Sequence, residues 1–159
     1  MSNILYGEEL KTVSKVDLDR YLGLWYQIAY FPTWFQKKDC PLTTAEYSLR
    51  KDNKIKVYNA CWQDSVGGKK IQDATAKAWP VDESNSKLKV QFFWPFRGNY
   101  WIIMLDEYQY QWAVVSEPKQ KYLWILYRQP IMDQYLYNQL LTELENRHFD
   151  LSRLVKTSK

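Results

Sequence analysis

Between residues 24 and 128 the chain is cut by turn residues into runs too short for helices, and several of them alternate apolar with polar. Strand-like runs fall at about 24–31, 43–50, 54–62, 70–79, 87–94, 100–106, 111–117 and 121–128. Turn signals separate them at Lys51-Asp52-Asn53, Ser65-Val66-Gly67-Gly68, Asp82–Ser86, Phe96-Arg97-Gly98, Glu107–Tyr110 and Pro118-Lys119-Gln120. Links this short join antiparallel neighbours, because parallel pairing needs a long crossover. Leu88-Lys89-Val90-Gln91-Phe92 alternates strictly, so one face of the meander is apolar and the other wet. Rolling eight such strands into a barrel removes both sheet edges and encloses room for one small ligand.

The period changes after Pro130. Leu136, Leu140 and Leu144 recur every four residues with Tyr137 and Leu141 beside them, which predicts an amphipathic helix over about 132–147 against the barrel wall. A short last strand, about Ser152 to Val155, would pair with the first. Ahead of the strands, Asp17 to Leu22 reads as one helical turn stopped by Gly23. The predicted fold is all-β: one domain over residues 1–159, an eight-stranded antiparallel up-and-down barrel (about 23–128), a C-terminal α-helix and a final strand.

Composition narrows the function. With 46% hydrophobic and 25% charged residues the chain is globular rather than disordered. Aromatics reach 17%, more rings than a small core packs easily, which points to a lined cavity, a sticky surface or simple core enrichment. The net charge is +4, with lysines scattered over turn-like stretches, and neither a basic run nor a known motif argues for nucleic acid. No apolar run reaches a bilayer-spanning length, and Met1–Leu10 has no apolar core of a secretory signal. His148 is the one histidine, far in sequence from Cys40 and Cys61, so neither a zinc site nor a Ser-His-Asp arrangement is expected. Gly67-Gly68 reads as a turn rather than a phosphate loop, and no cofactor or metal is expected.

Gly23-Leu24-Trp25-Tyr26, opening the first strand, resembles the G-x-W signature of the lipocalins. Asp106-Glu107-Tyr108 is similar to their T-D-Y turn, with Leu105 in place of Thr and one extra residue before Tyr108. Arg128, closing Tyr122-Leu123-Trp124-Ile125-Leu126-Tyr127, resembles the third signature. Longer stretches, among them Asp19–Gly23 and Lys54–Asn59, are similar to the bacterial lipocalin and apolipoprotein D branch, and the likeness spans about residues 16 to 155. It implies binding, storage or transport of a small hydrophobic ligand such as a fatty acid or lysophospholipid. It also implies the periplasm or outer membrane if a signal was removed, and leaves membrane association open. Gly23, Trp25, Asp106 and Arg128 become structural motif residues, with Trp25 pointing into the closed end of the barrel.

Alternation sets the faces of the strands once one residue of each is anchored, Trp25 on the first, Lys54 and Lys56 outside on the third and Asp106 on the sixth. Trp25, Gln27 and Ala29 point inward, as do Ala45, Tyr47 and Leu49, and Ile55, Val57, Asn59 and Cys61. Ala74, Ala76 and Ala78 leave volume on the fourth strand, or else pack against rings opposite. The fifth strand adds Leu88, Val90 and Phe92, the sixth Tyr100, Ile102 and Met104, the seventh Ala113 and Val115, and the eighth Tyr122, Trp124, Leu126 and Arg128. The expected ligand contacts are Phe35, Tyr47, Asn59, Ala76, Phe92, Tyr100, Ile102, Met104, Tyr122 and Trp124. Phe35 and Trp34 belong to the long apolar link 31–42, which reads as a lid or as a plug on its neighbours. Arg97 reads as an ordinary turn residue, with solvation of a ligand carboxylate at the mouth as the alternative.

The expected hairpin register sets Cys61 opposite Thr43, which permits a disulfide to Cys40 without requiring it. A rival reading makes Cys61 a thiolate nucleophile, resembling the lipocalin prostaglandin isomerases. It lacks an inward Lys or His to depress the thiol pKa. Binding rather than catalysis is therefore expected.

Overall fold

A computed structural model of the chain describes residues 9–33, 39–93 and 96–157. A turn of helix, α1 (Leu18–Tyr21), precedes eight strands: β1 (Gly23–Tyr30), β2 (Leu42–Leu49), β3 (Ile55–Trp62), β4 (Lys70–Pro80), β5 (Lys87–Phe93), β6 (Phe96–Leu105), β7 (Trp112–Ser116) and β8 (Leu123–Tyr127). The helix α2 (Gln134–Asn146), a 3-10 turn (Leu151–Arg153) and β9 (Val155–Lys156) follow. Each strand from β2 to β8 pairs antiparallel with the next, and β1 pairs with both β8 and β2, which closes the barrel. β2 leaves β1 after the Tyr26–Thr44 pair, and β9 covers β1 farther along at Ala29 and Tyr30. The short final strand therefore protects a stretch of backbone that would otherwise be an open edge.

Local chemistry ends the helices where the sequence suggested. The Asp133 carboxylate accepts the Leu136 amide at 3.0 Å, an N-cap. His148, exposed, ends the helix in the left-handed region at φ 68°. Behind it the Phe149 amide donates to the Leu144 carbonyl at 3.1 Å. Tyr137, Leu140 and Leu144 are buried against the barrel, while Leu136 and Leu141 are partly so.

Buried side chains fall into two layers. Inside the barrel lie Trp25, Ala45, Tyr47, Ile55, Val57, Ala76, Ala78 and Leu88 with Ile102, Leu105, Ala113, Val115 and Leu126. Between the barrel wall and α2 lie Ile28, Ala29, Trp101, Ile103, Met104, Val114, Leu123 and Ile125.

Bulges decide membership of these layers. A register shift between Gln27 and Ala29 turns Ala29 out to pair with Ile125 on the helix side, so its expected inward position is corrected. A second shift between Ile102 and Met104 puts both Ile103 and Met104 on the helix side and brings Leu105 back inward. One extra residue in a strand reverses the parity of everything beyond it. Met104 is thus a wall residue under α2, not a ligand contact. Two further expectations change: Phe96-Arg97-Gly98 is not a turn but the start of β6, and Ser152 lies in the 3-10 turn rather than the last strand. Leu49 pairs with buried Ile55 yet is 60% exposed at the strand end, so it fills no core position.

Candidate ligand cavity and its closed end

Gly23 adopts φ +103°, a conformation that side chains other than glycine's rarely tolerate. A Cβ there would also stand 3.3 Å from Arg128 Nη1. The same glycine therefore makes the bend from α1 into β1 and leaves room for the guanidinium. Arg128 lies 3.7 Å above the centroid of the fully buried Trp25 ring. Its Nε donates to the Tyr110 carbonyl (3.0 Å), Nη1 to that of Leu24 (3.0 Å) and Nη2 to that of Arg20 (2.8 Å). Trp25 Nε1 donates to the Tyr21 carbonyl at 2.8 Å. Nearby, the Tyr110 hydroxyl accepts the Asp17 amide at 2.9 Å, and the Asp106 carboxylate accepts the amides of Gln109 and Gln111. The three signature segments thus lock α1 across one end of the barrel as a floor.

On that floor stands a chain of three tyrosine hydroxyls. Tyr100 bonds Tyr21 at 2.7 Å and Tyr47 at 2.6 Å. Burial holds Tyr21 and Tyr100 well above the ordinary phenol value and pushes Tyr47 up to about 12. Beside them a small void of about 10 Å³ is lined by the three rings with Leu22, Ile55, Val57, Ala78, Leu88 and Val90. Tyr47 and Tyr100 were legible as inward residues by alternation. Tyr21 was not, because it comes from the helical turn, where no strand parity applies.

Above the floor the inward residues become more exposed toward the far end of the barrel. Tyr47, Ala76 and Ile102 are buried in the inner layer, as expected. Asn59, Tyr100, Tyr122 and Trp124 are half-buried and Phe92 is 36% exposed. Ala74, two residues above buried Ala76 on the same face, is exposed. Trp124 pairs with Tyr30, the last residue of β1, and stacks on Tyr122 with centroids 5.9 Å apart. It therefore stands at the end of the barrel away from the floor. Phe35 and Trp34 lie outside the described residues. Arg97 pairs with Gln91 and approaches the Trp79 ring at 5.6 Å on the outer wall, so it is a strand residue facing away from the cavity.

Cys61 stands opposite Thr43, as the hairpin register required, and is bonded to Cys40 with Cα atoms 5.8 Å apart. The disulfide ties the residues that lead into β2 to β3 at the end away from the floor. It also leaves Cys61 no thiol with which to act as a nucleophile.

The lipocalin-like domain model matches residues 16–159. The chain belongs to the lipocalin family. This lipocalin is 36% identical to temperature-induced lipocalin-1 of Arabidopsis thaliana over 94% of its own length and 83% of the plant protein's. It is 37% identical to the outer membrane lipoprotein Blc of Vibrio cholerae, over 93% and 85% of the two chains. Apolipoprotein D of Macaca fascicularis is 29% identical, over 90% and 77%. Among solved structures, insecticyanin from Manduca sexta superposes with a TM-score of 0.71 at 21% identity, covering 96% of this chain and 85% of that one. The lipocalin barrel here presents apolar and neutral polar groups to its interior. The charged group of Arg128 is engaged by backbone carbonyls at the floor.

Proposed function

We propose that this lipocalin binds and carries an elongated lipid, of the fatty acid or lysophospholipid kind, inside the barrel. The observation that carries the reading is the graded interior. Ala76 and Ile102 are sealed over the tyrosine floor, while Ala74, Asn59 and Trp124 above them remain accessible. Apolar lining with a few neutral polar groups is the profile of a lipid site rather than of a charged metabolite's. Burying an alkyl chain contributes about 0.8 kcal/mol per methylene, so ten to sixteen of them outweigh the cost of association without a charged anchor. Asn59, Phe92, Tyr122 and Trp124 are the proposed upper contacts, and Tyr47, Ala76, Tyr100 and Ile102 the lower ones, with Phe35 added from the link. Relatives named outer membrane lipoproteins and the Cys40–Cys61 disulfide both favour an envelope location, since disulfides persist in oxidising compartments. Organic extraction of the purified chain followed by mass spectrometry tests the proposal. A co-purified single-chain lipid near one per barrel supports it. Clean protein that also fails to displace a fluorescent fatty acid refutes it.

A further inference from the structure

Gln27 lies two residues beyond Trp25 on β1, opposite Leu126, whose side chain belongs to the inner layer. It is 7% exposed, and its Nε2 has no hydrogen-bond partner. Among the described residues Thr33 Oγ1 is the other such atom, and Thr33 adjoins residues outside the description. Buried amides are almost always paired, because one left without a partner loses its hydration and gains nothing in return. An orphan amide on the inner face of a barrel strand is therefore a polar contact awaiting its other half.

A proton count at the floor points the same way. Tyr21, Tyr47 and Tyr100 carry three hydroxyl protons but make two bonds among themselves. Whichever way the chain is oriented, one proton remains unused. Among the described residues the lower barrel thus holds an amide NH2 group and one hydroxyl proton without acceptors, each established by a separate observation.

The missing partner is uncharged. The guanidinium of Arg128 spends its Nε, Nη1 and Nη2 on backbone carbonyls, so it has little left for an anion, and a carboxylate buried beside aromatic rings would go uncompensated. An amide donates at one end and accepts at the other, and each tyrosine oxygen does both. A hydroxyl matches them all, whichever way the amide is turned.

We propose that the inner half of the barrel receives a hydroxyl group at the buried end of an elongated apolar ligand, with the Gln27 amide as its principal partner. This rests on the lipid-binding reading above and narrows its ligand class to chains with an oxygen far from the headgroup.

The test is displacement of a fluorescent fatty acid by hexadecanoic acid and by its ω-hydroxy derivative, with the whole chain at 25 °C. In an apolar pocket the buried hydroxyl would weaken binding more than about tenfold. Here the hydroxy acid is expected to bind at least as tightly as the plain one. Gln27→Leu should weaken the hydroxy acid about tenfold, the worth of one hydrogen bond, while hexadecanoic acid stays within about twofold. The ligand-free variant should melt no lower than the native chain, since the orphan amide is gone, whereas a glutamine kept for structure would lower the melting point. A native chain that disfavours the hydroxy acid more than tenfold overturns the inference, and so does a variant that weakens both acids equally. The native comparison stands even if the variant folds poorly. Failure of both acids to displace the probe overturns the lipid reading itself.

Discussion

Replacing Arg128 with lysine isolates what the guanidinium contributes to the barrel floor. The side chain bonds the carbonyls of Tyr110, Leu24 and Arg20 and covers the Trp25 ring at 3.7 Å. Those carbonyls come from the β6–β7 turn, from β1 and from α1, so one planar group ties three segments together. An ammonium can reach one of the three at a time and cannot stack flat on the indole. Two lost bonds are worth about 2 kcal/mol net. The weakened cation–π contact adds roughly 0.5–1 kcal/mol, at the lower end because Arg128 is only half-buried. For a domain of this size each kcal/mol moves the melting point by about 2–4 °C, so Arg128→Lys should melt roughly 5–12 °C below the native chain. Far-UV circular dichroism measures the shift, and fatty-acid affinity measured well below melting should change little. A shift under about 2 °C would refute the energetic assignment. A large affinity loss at unchanged melting would move Arg128 from the floor into the binding site.

Three other expectations follow from the same geometry. Ala76→Trp places an indole where the buried alanine faces Val57 and should abolish displacement of a fluorescent fatty acid while the far-UV spectrum is retained; unchanged affinity in a folded variant would put the ligand outside the barrel. Trp124 is inward and half-buried near the mouth, so a long-chain fatty acid should change the tryptophan emission and Trp124→Phe should remove most of that change; if Trp34→Phe removes it instead, the signal belongs to the 31–42 link. Burial raises the pKa of Tyr21, Tyr47 and Tyr100 above that of the unfolded chain, so their neutral form stabilises the fold fully below about pH 10. That stability should drain away as pH climbs from 10 through the Tyr47 value of about 12; melting points that stay flat over pH 9 to 11.5 would show the three hydroxyls to be solvated.

Strand order, barrel closure and the capped helix were legible as periodicity and turn signals, and the floor assembly through the lipocalin signatures, some of whose residues have one conformational use. Gly23 at φ +103° beneath Arg128 is such a residue, and so is Asp106, whose carboxylate holds the turn it begins. Parity was the weak instrument. It placed Trp25, Tyr47, Ala76, Tyr100 and Ile102 in the inner layer, where the structure has them. It failed at Ala29 and Met104, each one step past a bulge. Nothing in Ile28 or Ile103 announces a bulge: both are β-branched, both suit a regular strand, and each is buried against α2. The helix supplies the reason. With α2 covering the outer wall, consecutive apolar residues gain from facing outward, and the strand yields its alternation to that packing. Runs such as Trp101-Ile102-Ile103-Met104-Leu105 are apolar on both faces because both are covered, and such a run carries no signal of which face any residue takes. The strands under the helix are therefore where a sequence reading of this barrel misassigns its lining. β3 and the lower part of β4, with Lys56 and Lys77 alternating outward, are where it can be trusted.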